Sequence, residues 1–200
     1  MHNSLLKAPS LERMWRAMEA IYERLARAVR VLEEAQIDYA VIGGHAVREW
    51  IGRIDITRQR HTRDVDILVR RADLPRIIAT MTADGFIHSN VWGVDLFIEN
   101  ENVKASEGVH LLFEGEKVKP DSTTAAPLLT ETEASTNFRV LKLDALLRMK
   151  LEAYRLKDQM HISDMKTVGL VDETSPERFP SPLKERLAKI VNDPNERPLV

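Results

Sequence analysis

Residues 61–69 read HTRDVDILV, and the reading of this stretch decides the fold. It has the apolar, β-branched character of a buried strand. Yet it carries two aspartates, Asp64 and Asp66. Residues two apart on a strand point to the same face. Asp64, Asp66 and Leu68 should therefore stand together, with Val65, Ile67 and Val69 turned the other way into a core. Adjacent carboxylates repel each other and are costly to bury. Something positive has to sit between them: a divalent metal ion, or a neighbouring Arg or Lys.

Upstream lies DYAVIGG, residues 38–44, a short apolar run ending in a glycine pair. It reads as a buried strand entering a tight turn, and HAVREWIG (45–52) as the short helix that follows. Glycines at such a turn let backbone approach a phosphate, and the N–H groups opening the helix can point at it. Two carboxylates on the next strand can then hold Mg²⁺ or Mn²⁺ against the same phosphates. His45 follows the glycines directly and is either a phosphate contact or simply the opening of the helix. Arg53, Arg58, Arg60 and Arg63 crowd the segment between, as a solvated loop or as a phosphate-facing rim. The aspartate pair favours the rim.

Further out, Leu11, Met14, Trp15, Met18, Ile21, Leu25, Val29 and Leu32 recur at helical spacing over 10–35, with Ser10 as N-cap. A second amphipathic helix spans 73–83. GFIHS, VDLFIE (94–99) and GVHLLFEGEKV (108–118) read as strands. Residues 121–138, rich in Pro, Ser, Thr and Ala, read as an exposed linker. Helical patterns then cover 142–155, 157–168 and 181–192, before a tail expected to fray. The domains expected are an N-terminal helix (1–36), an α/β core (37–120), the linker (121–138) and a C-terminal helical region (139–200).

Composition narrows the function classes. The chain has 200 residues, 44% of them hydrophobic and 30% charged, enough for one domain with a substantial core. It has no cysteine, which excludes disulfides and thiolate metal sites. A net charge of −2 excludes the simplest strongly basic nucleic-acid binder. MHNSLLKAPSLERMWRAMEA has no apolar h-region and no run approaches a membrane span, so the cytoplasm is the expected compartment. There is no Gly-x-Ser-x-Gly and no His-Glu-x-x-His, so nothing suggests a hydrolytic nucleophile or a zinc protease.

VIGGHA followed by RHTRDVDILV resembles the signature of the minimal nucleotidyltransferases of the DNA polymerase β-like superfamily. The later LKLDALLRMKLEAYRLKDQMHISDM is similar to the C-terminal helices of AbiEii-type members, which belong to toxin–antitoxin and abortive-infection systems. The resemblance covers roughly residues 38–170. It implies an α+β nucleotidyltransferase fold: a mixed β-sheet flanked by helices, with a C-terminal helical part. It implies attack of an acceptor oxygen on the α-phosphate of an NTP, with RNA, a protein or a small molecule as acceptor. Asp64 and Asp66 would ligate the metal. Gly43 and Gly44 would hold the triphosphate, with His45 and Arg63 beside them. Lys150, Arg155 and Lys157 would contact phosphates or the acceptor.

Two departures matter. Residues 45–63 make a longer gap between Gly44 and Asp64 than the family usually has. The third carboxylate of the later strand is replaced, with His110 at the matching position and Asp95 or Glu114 as rivals. His110 could ligate metal or act as a base, or be a satisfied core or surface histidine. Without a third carboxylate, a nucleotide-binding or interaction module becomes the alternative, such as one half of a toxin–antitoxin pair with a cognate partner protein. His161 with Asp164 could be a metal pair or plain polar-face residues. Asp158 should partner an Arg or Lys, Asp55 should be exposed, and Lys142 and Lys150 read as a solvated face unless they serve the site.

Overall fold

A computed structural model describes residues 11–193. Ser10 and the tail beyond 193 lie outside it, as does the side chain of Trp15. The chain runs α1 (Leu11–Glu34), β1 (Tyr39–Val41), α2 (Gly43–Gly52), β2 (Val65–Val69), α3 (Leu74–Ala83), β3 (Ile87–Val91), β4 (Val94–Ile98), β5 (Val109–Phe113), β6 (Thr132–Ala134), β7 (Arg139–Leu141), α4 (Leu143–Ala153), α5 (Leu156–Thr167) and α6 (Leu183–Val191). Seven strands form one mixed sheet in the order β3-β4-β5-β2-β1-β7-β6. β2 runs antiparallel to β1 and parallel to β5, and β1 runs parallel to β7. This is the α+β architecture that the resemblance implies. No helix of the described residues is long and apolar enough to cross a membrane.

Both faces of the central strands are covered, which explains why β1 and β2 read as apolar runs rather than strict alternations. Val65, Ile67 and Val69 pack with Leu25, Val29 and Leu32 of α1 and Ile77 and Met81 of α3. Leu68 and Ala40 point the other way, into a second core with Val47 and Ile51 of α2, Leu146 and Leu147 of α4, Ile162 of α5 and Leu187 of α6. Asp66 shares the Leu68 face, so the aspartates emerge beneath α2, α4 and α5. The alternation expected for HTRDVDILV is borne out, except that Asp64 sits one residue before the strand begins.

The stretch 121–138 is not the exposed linker its composition suggests. Ser122, Ala126, Leu129 and Thr132 are buried. The hydroxyl residues are anchored: Thr123 donates from its N–H and its hydroxyl to the Glu152 carboxylate, which also accepts from Thr124 Oγ1. The segment then supplies β6, which pairs with β7. The C-terminal helices thus rest on the same sheet as the rest of the chain.

Two-sided burial makes adjacent residues of β2 equally sensitive. Ile67→Ala and Leu68→Ala should each cost roughly 2–5 kcal/mol in denaturant unfolding. A one-faced sheet would tolerate one of the two.

Candidate active site

The turn after β1 comes first. Gly43 has φ +65°, and a Cβ there would overlap the Asp66 carboxylate. Glycine is required twice over, for the left-handed backbone and for the space that Asp66 fills. A Cβ on Gly44 would run into the Thr62 hydroxyl. The glycine pair therefore packs against the aspartate strand, and only Gly43 faces the cavity. The Ile42 N–H donates to the Asp66 carbonyl at 3.0 Å, tying the end of β1 to β2. α2 starts at Gly43, so its positive end lies beside Asp66.

Asp64, Asp66 and His110 form the centre. Their ligand atoms all lie within 4.8 Å of one another, the one group of this kind among the described residues. His110 arrives by register: it pairs with Asp66 across the parallel β2–β5 ladder. Its Nε2 lies 2.8 Å from the Ala105 carbonyl and its Nδ1 3.5 Å from Asp66 Oδ1. A carbonyl only accepts, so Nε2 carries the proton and Nδ1 is the nitrogen turned to the aspartates. The bond to Asp66, helped by the Ala105 carbonyl, holds the imidazole pKa above its ordinary value against burial. Asp64 accepts from the Thr62 hydroxyl at 2.7 Å and lies 3.8 Å from the Lys157 ammonium. Burial works against its ionisation, but these groups outweigh it and keep the carboxyl below its usual range.

Across the cavity stand the cations. Lys150 is buried and reaches Asp158 at 3.3 Å. Arg155 Nε donates to the other oxygen of Asp158 at 2.7 Å. The cost of burying Asp158 is outweighed by Arg155 and Lys150, which hold its carboxyl below the usual carboxylate range. Burial lowers the Lys150 ammonium, with Asp158 opposing. One carboxylate thus fixes two cations, as expected of Asp158, and Lys150 is no solvated-face residue. The centre, these cations and an apolar wall of Leu112, Val118, Leu146 and Met149 enclose a cavity of about 320 Å³. That is the size of a small-molecule site.

Several expectations fail on geometry. His45 is buried, off the cavity wall, edge-on to Tyr22 with centroids 6.0 Å apart. The helix opens two residues before it, which turns His45 inward rather than towards a phosphate. Arg63 is exposed and does not line the cavity. The rim of arginines is instead a set of ion pairs: Arg53 with Glu49 and Glu133, Arg58 with Asp55, and Arg60 with Asp164. Asp164 is thereby unavailable to His161 as a metal partner. Asp95 is held by His88 at 3.0 Å and Asn90 at 3.1 Å, and Glu114 by Arg70 and the Leu129 N–H. Neither supplies a third carboxylate. Two contributors went unread in the sequence: Thr62, visible only as a hydroxyl two residues before Asp64, and the apolar wall at Val118 and Met149.

Comparison with solved structures follows the same lines. The crystal structure of an antigenic nucleotidyltransferase-like protein from Paracoccidioides brasiliensis superposes with a TM-score of 0.58 at 18% identity, over 86% of this chain and 88% of that one. The fold is that of a nucleotidyltransferase. The lincosamide antibiotic adenylyltransferase LnuA, solved with lincomycin bound, is similar at a TM-score of 0.51 and 14% identity, over 76% of this chain and 96% of its own. No protein-family model and no curated protein matches the chain. At these identities the likeness is one of fold.

Burial lowers the pKa of both His45 and His161 from 6.5 to about 4. The unfolded chain takes up protons at the ordinary value, so between about pH 6.5 and pH 4 it binds more protons than the native state. Stability therefore rises with pH across that window and is lost on acidification through it. For His45 the loss is at most about 3 kcal/mol. Melting temperatures measured from pH 7 to pH 4.5 should fall, and His45→Leu should flatten the fall. An unchanged slope in that variant would contradict a neutral, buried His45.

Proposed function

We propose that the protein is a metal-dependent nucleotidyltransferase that moves a nucleoside monophosphate from an NTP to an acceptor hydroxyl. The observation that carries this reading is the convergence of Asp64, Asp66 and His110 Nδ1 opposite Lys150, Arg155 and Lys157 in one cavity. Two carboxylates and one imidazole nitrogen suit Mg²⁺ or Mn²⁺, the nitrogen favouring Mn²⁺. The fit is supported by His110 itself: its Nε2–H donates to Ala105, so Nδ1, beside Asp66, is the nitrogen that would ligate a cation on losing its proton. A cation held by these three groups would neutralise charge on the transferring phosphoryl group.

The chain's own residues do the rest. Lys157 and Arg155, the more exposed cations, bind the triphosphate, and Lys150, fixed by Asp158, holds one of its oxygens at a set position. Gly43 lets backbone approach the nucleotide beside Asp66. The acceptor oxygen bonds to the α-phosphorus, the bond to the α,β-bridging oxygen breaks, and pyrophosphate leaves. The hydroxyl proton passes to solvent. The likeness to AbiEii-type members belongs to this reading through Lys150, Arg155 and Asp158.

His110 in place of a third carboxylate favours a second reading, a nucleotide-binding module without turnover that acts with a cognate partner protein. One experiment separates the two. Titration calorimetry with ATP, CTP, GTP and UTP, in Mg²⁺ or Mn²⁺ and then in EDTA, should show one nucleotide bound only with metal. Asp64→Ala or Asp66→Ala should weaken that binding at least tenfold, and Lys150→Met should also weaken it. Binding with no pyrophosphate release in the presence of a broad acceptor panel would favour the second reading. Intact binding in both aspartate variants would sink the first.

A further inference from the structure

The hairpin β3–β4 carries a residue that local rules do not explain. Trp92 is 99% exposed and has φ +53°, with Gly93 behind it at φ +83°. This pair of left-handed residues is a hairpin turn whose first place suits Asn, Asp or Gly. A bulky aromatic there is a backbone outlier, and strain of this kind gathers at functional positions. The turn is braced. The Gly93 N–H donates to Asn90 Oδ1 at 3.1 Å, Asn90 Nδ2 donates to Asp95 at 3.1 Å, and Asp95 is bound in turn by His88. Trp92 is therefore presented from a fixed base.

The register shows which face the strand residues beside it take. Val91 pairs with Val94 and Ile87 with Ile98. Leu96, two residues from each of Val94 and Ile98, pairs with His110. His110 pairs with Asp66. Directly paired residues share a face. Ile87, Val91 and Val94 therefore lie on the face that carries Asp66 and His110, while His88, Asn90 and Asp95 lie on the other. All three apolar residues are exposed, and Val94 lines the cavity. An apolar ramp thus runs along this edge of the sheet and reaches the cavity at Val94.

We propose that this ramp binds the acceptor, and that the acceptor is a small hydroxyl compound with an uncharged, apolar or aromatic body. The inference rests on the nucleotidyl-transfer reading. The cavity and its cations take the nucleotide, and the acceptor approaches the same centre over β4. Residues 87–98 contain no Lys or Arg. An RNA acceptor needs cations along its backbone path, and the ramp offers none. Trp92 offers a flat ring instead, and Ile87, Val91 and Val94 an apolar bed.

The test uses 2-naphthylethanol as probe, followed by saturation-transfer NMR on the full chain with Mg²⁺ and the preferred NTP. Its ring protons should receive saturation from the wild type. Trp92→Ser and Val91→Ser, both at exposed positions, should each weaken its binding about tenfold, with metal–nucleotide affinity measured on the same samples. Equal probe binding in wild type and both variants overturns the proposal. So does pyrophosphate release stimulated by an oligoribonucleotide or a peptide and indifferent to Trp92. Probe binding that depends on Trp92, in a protein that binds no metal–nucleotide, supports the ramp and counts against nucleotidyl transfer alone.

Discussion

Two carboxylates and an imidazole held within 4.8 Å of one another make the demand on which the structure depends. Like charges that close raise the free energy of the folded chain unless positive charge joins them. Much of the surrounding structure serves that arrangement. Gly43 leaves out a side chain where Asp66 sits, α2 begins there with its positive end, Thr62 donates to Asp64, and Lys157 lies across from it. The parallel β2–β5 register brings His110 alongside Asp66 from more than forty positions away in sequence. Burial of β2 on both faces then holds the strand in that register, since a slip of one residue would exchange Ile67 with Leu68 and turn Asp66 into a core.

The second organising charge is Asp158. It is almost wholly buried, and it survives there because Lys150 and Arg155 bind its two oxygens. Its effect is to fix a lysine and an arginine on the cavity wall, where flexible surface side chains would cost entropy to order. The site thus has a negative half on the sheet and a positive half on α4 and α5. In the function proposed, a nucleoside triphosphate with its cation complements both halves at once.

Much of this was legible in the sequence where the signal is local. The alternation in HTRDVDILV placed the aspartates on one face and Val65, Ile67 and Val69 in a core. The glycine pair marked the turn before α2, although its tight packing on Asp66 and Thr62 could not be read. What failed depended on distant partners. The arginines after α2 looked like a phosphate rim because Glu133 and Asp164, which bind Arg53 and Arg60, lie 80 and 104 positions away. Residues 121–138 have the composition of a linker, and the partner that anchors Thr123 and Thr124, Glu152, lies further along the chain. β6 and β7 are three residues each, too short for a periodic signal. For His45 the sequence leaves a phosphate contact and a helix opening equally open; the helix starts two residues earlier, at Gly43, and its turn carries the side chain inward.

The central claim is that Asp64, Asp66 and His110 hold one divalent cation. The most direct measurement is titration of the metal-free protein with Mn²⁺, followed by the electron paramagnetic resonance signal of the free ion. A single site in the wild type, weakened at least tenfold in Asp66→Asn and in His110→Ala, is the predicted result. No saturable Mn²⁺ binding, or binding that both substitutions leave intact, would contradict it.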